Sequence, residues 1–143
     1  MPSPSEVEEI ARRFLQAWNA GHHHVVDELA APDLVVTYTH YPEPYHGPAA
    51  FKEMLQKTHQ YFPDLAIDVH DVIVDGQQAV VHWSYRGTFQ NGEMFGVPAD
   101  GQSVEVTGVT IYEIEDGAVQ REEGIVDNLA LMKQLGMAPG RPE

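Results

Sequence analysis

The chain has no cysteine among its 143 residues. That absence excludes a disulfide scaffold, a thiolate nucleophile, an iron–sulfur cluster and a cysteine-ligated zinc site. Basic residues are also scarce, 8 against 22 acids, which gives a formal charge of −14. Phosphate-rich partners need clustered Lys and Arg, so neither nucleic acid nor a membrane surface is expected as a partner. No apolar run approaches bilayer length, and the opening MPSPSEVEEI lacks the basic start and apolar stretch of a secretory leader. A soluble, cytoplasmic protein is therefore expected. The chain also has no Gly-x-Ser-x-Gly elbow, no HExxH pair and no glycine loop leading into a helix, which argues against serine hydrolysis, a metal site and nucleotide binding.

Apolar residues make up 43% of the chain, enough to bury a core without metal or disulfides, and residues 1–143 are expected to form one domain. Val7, Ile10, Ala11, Phe14, Leu15 and Trp18 recur at helical spacing, with Ser5 and Glu8 read as a capping box and Gly21 as the stop. A shorter helix is expected over 23–31, ended by Ala31-Pro32-Asp33, followed by a strand over 33–40. Pro48 suits the first position of a third helix, whose apolar stripe is Phe51, Met54, Leu55 and Thr58. Beyond it the pattern turns to strands over 65–74, 78–89, 103–115 and 118–126, with Asp-Gly turns, and then a short helix over 129–135. Helices early and antiparallel strands late predict an α+β fold with the helices packed on one face of a curved sheet. Such a cone offers an apolar internal pocket at its open end.

The candidate chemistry gathers near the C-terminus. Glu122 and Glu123 are neighbours on a predicted strand, so alternation sends one carboxylate to each face; if position 124 points inward, Glu122 shares its side. Asp127, just before the last helix, suits a helix N-cap and is also a candidate acid/base. An apolar chamber lined by Trp83, Tyr85, Phe95, Tyr112 and Ile125 would raise the pKa of a carboxylate toward neutrality, which proton transfer at carbon favours. Tyr38 and His40 share one strand face, and His82 precedes Trp83; these are candidates for orienting a substrate oxygen. His22, His23 and His24 point about 100° apart on a helix and cannot ligate one ion together.

Several stretches, RRFLQAWNAG, HGPAAFKEMLQ, FPDL, the segment from His82 to Val119, and DNLALMKQLG, resemble the SnoaL-like polyketide cyclase (ester cyclase) family of the NTF2-like superfamily. The resemblance covers nearly the whole chain. It implies an NTF2-like cone, a curved and mostly antiparallel sheet wrapped around long N-terminal helices. It further implies a cofactor-independent cyclase or isomerase acting by general acid/base proton transfer on a hydrophobic polyketide- or terpenoid-like molecule. In this family an acid on the last strand does the proton transfer, assisted by a polar group on the neighbouring strand. Here the two family positions fall on Gly124 and Thr110, leaving Glu122 or Asp127 to supply the acid and Thr110 among the binding residues. Two other readings keep the pocket, a limonene-type epoxide hydrolase and a small-molecule binder without chemistry. Both faces of the 103–115 strand carry apolar residues, so a homodimer through the outer sheet face is expected.

Overall fold

The computed structural model describes residues 3–39 and 41–136. Helix α1 spans Pro4–Leu15. Its cap is Ser3, not Ser5: Ser3 Oγ accepts from the Glu6 amide at 3.3 Å and the Glu6 carboxylate accepts from the Ser3 amide at 3.4 Å. Pro4 explains the earlier start, because its fixed φ and missing N–H suit the first helical position. A 3-10 turn, Gln16–Trp18, follows directly. Helix α2 is only Val25–Leu29, and strand β1 begins at once, spanning Ala30–Tyr38. Pro32 therefore lies inside a strand. It falls where the β1 pairing register is interrupted between Ala30 and Val35, so its missing N–H breaks no ladder bond.

Strand β2, Tyr45–His46, is short and leads into helix α3, Pro48–Tyr61, with proline in its first turn as expected. The long strands are β3 (Ala66–Asp75), β4 (Gln78–Phe89), β7 (Gln102–Glu115) and β8 (Ala118–Val126), within about two residues of the expected bounds. Between β4 and β7 a small hairpin, β5 (Glu93–Met94) and β6 (Val97–Pro98), forms inside what the sequence shows only as a glycine- and proline-bearing loop. Helix α4, Asn128–Leu135, closes the described chain.

One sheet runs β2-β1-β8-β7-β4-β3, and every neighbouring pair is antiparallel except β1 with β8. This is the expected α+β cone, with helices against the inner face. Phe14 from α1 packs on Phe51 from α3 and edge-on to Tyr112 from β7, both at 5.9 Å between ring centres. A second apolar cluster, including Phe62, Phe89, Val106 and Leu131, sits under α4. No described helix is long and apolar enough to cross a membrane.

Candidate active site

The position of Glu122 depends on a β-bulge. On β8, Arg121 pairs with Glu113 while Val119 pairs with Ile114, so Gln120 is an extra residue. The bulge resets the strand's phase, and both Val119 and Glu122 become buried although they are an odd number of residues apart. Glu122 is 0% exposed.

Two donors converge on one of its oxygens. Trp18 Nε1 donates to Glu122 Oε2 at 2.9 Å, and the Tyr38 hydroxyl donates to the same atom through a short hydrogen bond. The Tyr38 and Thr110 hydroxyls share a further hydrogen bond of 3.3 Å, and Trp83 Nε1 donates to Thr110 Oγ1 at 2.8 Å. The order of the chain is therefore Trp83, Thr110, Tyr38, Glu122. With the carboxylate ionised, every hydroxyl can point its proton toward Glu122, an arrangement in which each bond strengthens the next. The Tyr112 hydroxyl also lies near the carboxyl, but it and Glu122 Oε1 form no hydrogen bond of good geometry and are both buried.

Burial pushes the Glu122 carboxyl up to about 7, against the opposing pull of the donors, Tyr38 first and Trp18 next. Burial and the adjacent Glu122 charge hold the Tyr38 hydroxyl well above the ordinary tyrosine value. Trp18 is fixed from its other side as well, since His59 Nε2 lies 2.9 Å from its carbonyl and donates to it. Burial holds His59 below the ordinary histidine value.

Tyr38 and Trp18 form part of the wall of a chamber of about 280 Å³, closed further by Tyr41, Met54, Trp83 and Tyr85. Burial pushes the Tyr41 hydroxyl up to about 12. The β5–β6 hairpin brings Glu93, Met94 and Phe95 to the chamber. Phe95 and Gly96 both take positive φ, 53° and 77°, as a tight hairpin turn requires, and this places an aromatic ring where glycine would be the easier residue.

The structure thus brings Tyr38, Trp83 and Phe95 to the chamber, with Thr110 and Glu122 bonded directly behind Tyr38. Tyr112 is 0% exposed and belongs to the core beside Glu122, off the chamber wall. His82 alternates with Trp83 and is exposed on the outer face of the sheet, where its ring lies 5.2 Å from that of His70. Ile125 likewise faces outward, 49% exposed. Asp127 is an exposed N-cap that accepts from the Ala130 amide at 3.1 Å. The structure does not bring it to Glu122. His40 lies outside the described residues. Among the described residues no group of three or more His, Asp or Glu side chains is arranged to hold a metal ion.

Trp18 is the site residue that sequence reasoning missed. It completes the apolar stripe of α1 and reads as core; its indole N–H, which needs an acceptor when buried, was the available signal. Gly124 is the second informative position. A Cβ built there would overlap the ring of Tyr38, so the aromatic ring fills the space of the absent side chain.

The family described as SnoaL-like polyketide cyclase matches residues 8–135. Among solved structures, the chain is similar to a candidate SnoaL-like polyketide cyclase from Jannaschia sp. CCS1, at 26% identity over 97% of each chain, with a TM-score of 0.84. It is similar to TsrD from Streptomyces laurentii, at 25% identity over 96% of this chain and 100% of that one, TM-score 0.83. It is also similar to IdmH, a candidate polyketide cyclase from Streptomyces antibioticus, at 27% identity over 92% and 99% of the two chains, TM-score 0.77. No curated protein matches the chain.

Proposed function

Because the chain belongs to the SnoaL-like polyketide cyclase family, we propose that it is a cofactor-independent cyclase or isomerase that moves protons on a hydrophobic, polyketide-like ketone. Glu122 is the proton store and Tyr38 is the group that meets substrate. The observation that carries this reading is the Tyr38–Glu122 hydrogen bond, which joins a tyrosine of the chamber wall to a sealed carboxyl whose pKa is raised to about 7.

At neutral pH the two forms of Glu122 coexist, which suits a group that must both take and give a proton. In the accepting direction, ionised Glu122 takes the Tyr38 proton while Tyr38 Oη takes one from the carbon beside the substrate carbonyl, leaving the enolate. In the donating direction the same two transfers run backwards and return a proton to that carbon. Thr110 and Trp83 hold the Tyr38 hydroxyl in place, and the apolar wall keeps water from competing. Asp127 is not needed in this scheme; its candidacy rests on its place beside the last strand.

The test is proton exchange at carbon. In D2O the protein should accelerate deuterium uptake at the carbon next to the carbonyl of 1-tetralone, followed by NMR, and Glu122→Gln should lower that acceleration by about a hundredfold or more. Uptake no faster than in buffer defeats the acid/base reading. A second reading, a binder without chemistry, draws support from the burial of Glu122, which contributes no surface of its own to the chamber. It predicts that 1-tetralone quenches Trp18 and Trp83 fluorescence but gains no deuterium.

A homodimer through the outer sheet face belongs to the same proposal. Cross-strand partners Ile73, Val80 and Ile111 form an apolar row there, with Ile73 61% exposed. Ile73→Glu should shift the sedimentation coefficient from dimer to monomer.

A further inference from the structure

The chain is poor in bases, and nearly every described one is matched to an acid. Arg12 pairs with Glu8, Arg13 with Glu28, Lys52 with Asp27, Arg86 with Asp68 and Arg121 with Glu123. Lys133 sits in the last turn of α4, where the helix C-terminus favours a cation. Lys57 has neither arrangement. Glu53 lies one turn earlier on α3, the spacing and order that best supports an ion pair, yet no carboxylate of the described residues comes within 4 Å of Lys57 Nζ. The ammonium instead lies 6.0 Å from the centre of the Tyr61 ring, and both residues line the chamber.

Lys57 is exposed whereas Tyr38 is 6% exposed, so the cation stands at the solvent side of the chamber and the proton-relay hydroxyl at its buried side. Among the described residues, Lys57 is the only cationic side chain that lines this chamber, and Glu93 is the only carboxylate. A ligand that fills the apolar space with its body therefore meets Tyr38 on the buried wall and an unpaired positive charge on the solvent side.

We propose that the ligand of this chamber is an aromatic or fused-ring acid, and that Lys57 is the positioning residue that binds its carboxylate at the mouth. The assignment rests on the chamber's being the substrate site, as in the proposed function. An anion at the mouth would fix which end of the molecule enters first, directing its ketone or enol oxygen toward Tyr38.

The test compares two probes of matched shape, 2-naphthoate and the neutral 2-acetonaphthone, by quenching of tryptophan fluorescence in the intact protein at pH 8 and low salt. Wild type should bind the naphthoate about fivefold more tightly, the size expected of a partly exposed ion pair. Lys57→Met should remove that preference, Lys57→Arg should retain it, and 0.5 M NaCl should shrink it. Equal affinity for the two probes in wild type overturns the assignment, as does a preference that survives Lys57→Met. Neither of those results bears on the Glu122–Tyr38 relay, which the tetralone exchange reads on its own. Failure of both probes to bind overturns the assignment together with the chamber's role.

Discussion

The ring of Tyr38 occupies the volume that a side chain at residue 124 would require: a Cβ on Gly124 would overlap Tyr38 Cε1 and crowd Cδ1 and Cζ. The two residues are cross-strand partners in the parallel β1–β8 pair. Their relationship explains how residue 124 can be glycine without leaving a void. The prediction is direct. Gly124→Ala should destabilise the protein by about 1–3 kcal/mol through overpacking, and the same change made on a Tyr38→Ala background should cost much less. Urea unfolding of the four proteins measures the coupling; independent effects would show that the ring does not depend on the glycine.

The raised pKa of Glu122 has a thermodynamic counterpart. The folded protein binds this proton more tightly than the unfolded chain does, so the contribution of Glu122 is fully present below the ordinary glutamate value and is lost as pH rises through about 7. The loss amounts to roughly 3 kcal/mol between pH 4.5 and pH 8. His59 acts with the opposite sign, because its lowered pKa makes the folded state lose stability as pH falls below the ordinary histidine value. Comparing wild type with Glu122→Gln at pH 5 and pH 8 separates the two. The variant should lack the decline toward pH 8 that wild type shows.

The long helices and strands and their order were readable because the apolar spacing is regular and the turns carry Asp-Gly or proline; the two-residue strands β2, β5 and β6 were not. The outward placement of His82 and Ile125 was readable too: each neighbours an inward residue, Trp83 or Gly124, and alternation sends it to the opposite face. The bulge at Gln120 was not readable, since a two-residue period counted from Val119 puts Glu122 on the wrong side. The caps at Ser3 and Ser5 both begin a Ser-x-x-Glu motif, and only Pro4, which suits the first helical position, separated them. The role of Trp18 required knowing that the chain tightens into a 3-10 turn just there, and the Tyr38–Thr110–Trp83 chain required the packing of three strands. Short-range pattern carries elements; the site is made of long-range contacts.

Removing the Tyr38 hydroxyl should raise the Glu122 pKa further, because that group supplies the largest hydrogen-bond stabilisation of the ionised form. In wild type a 13C NMR titration of the Glu122 carboxyl should find its midpoint near 7. Tyr38→Phe should move the midpoint up by about one unit or more, the scale of a lost hydrogen bond to a charged group. An unchanged midpoint would mean that Tyr38 does not control the proton affinity of its neighbour. The same variant should slow tetralone exchange even at pH values where its Glu122 is half ionised, since the group that meets the substrate is gone.

Strand β7 extends beyond the end of β8: Gly108 is opposite Val126, and the residues before Gly108 have no β8 partner. An unpaired edge of this kind invites pairing with other chains unless it is covered. Helix α4 covers it with one side chain. The Glu105 amide donates to Gln134 Oε1 at 2.6 Å, and Gln134 Nε2 donates back to the Glu105 carbonyl at 2.9 Å, so the carboxamide stands in for a neighbouring strand. Gln134→Ala should cost about 1 kcal/mol, the net value of partly exposed hydrogen bonds. It should also speed hydrogen exchange at the Glu105 amide while leaving amides of the β4–β7 ladder protected. Unchanged exchange at Glu105 would show that Gln134 does not protect this edge.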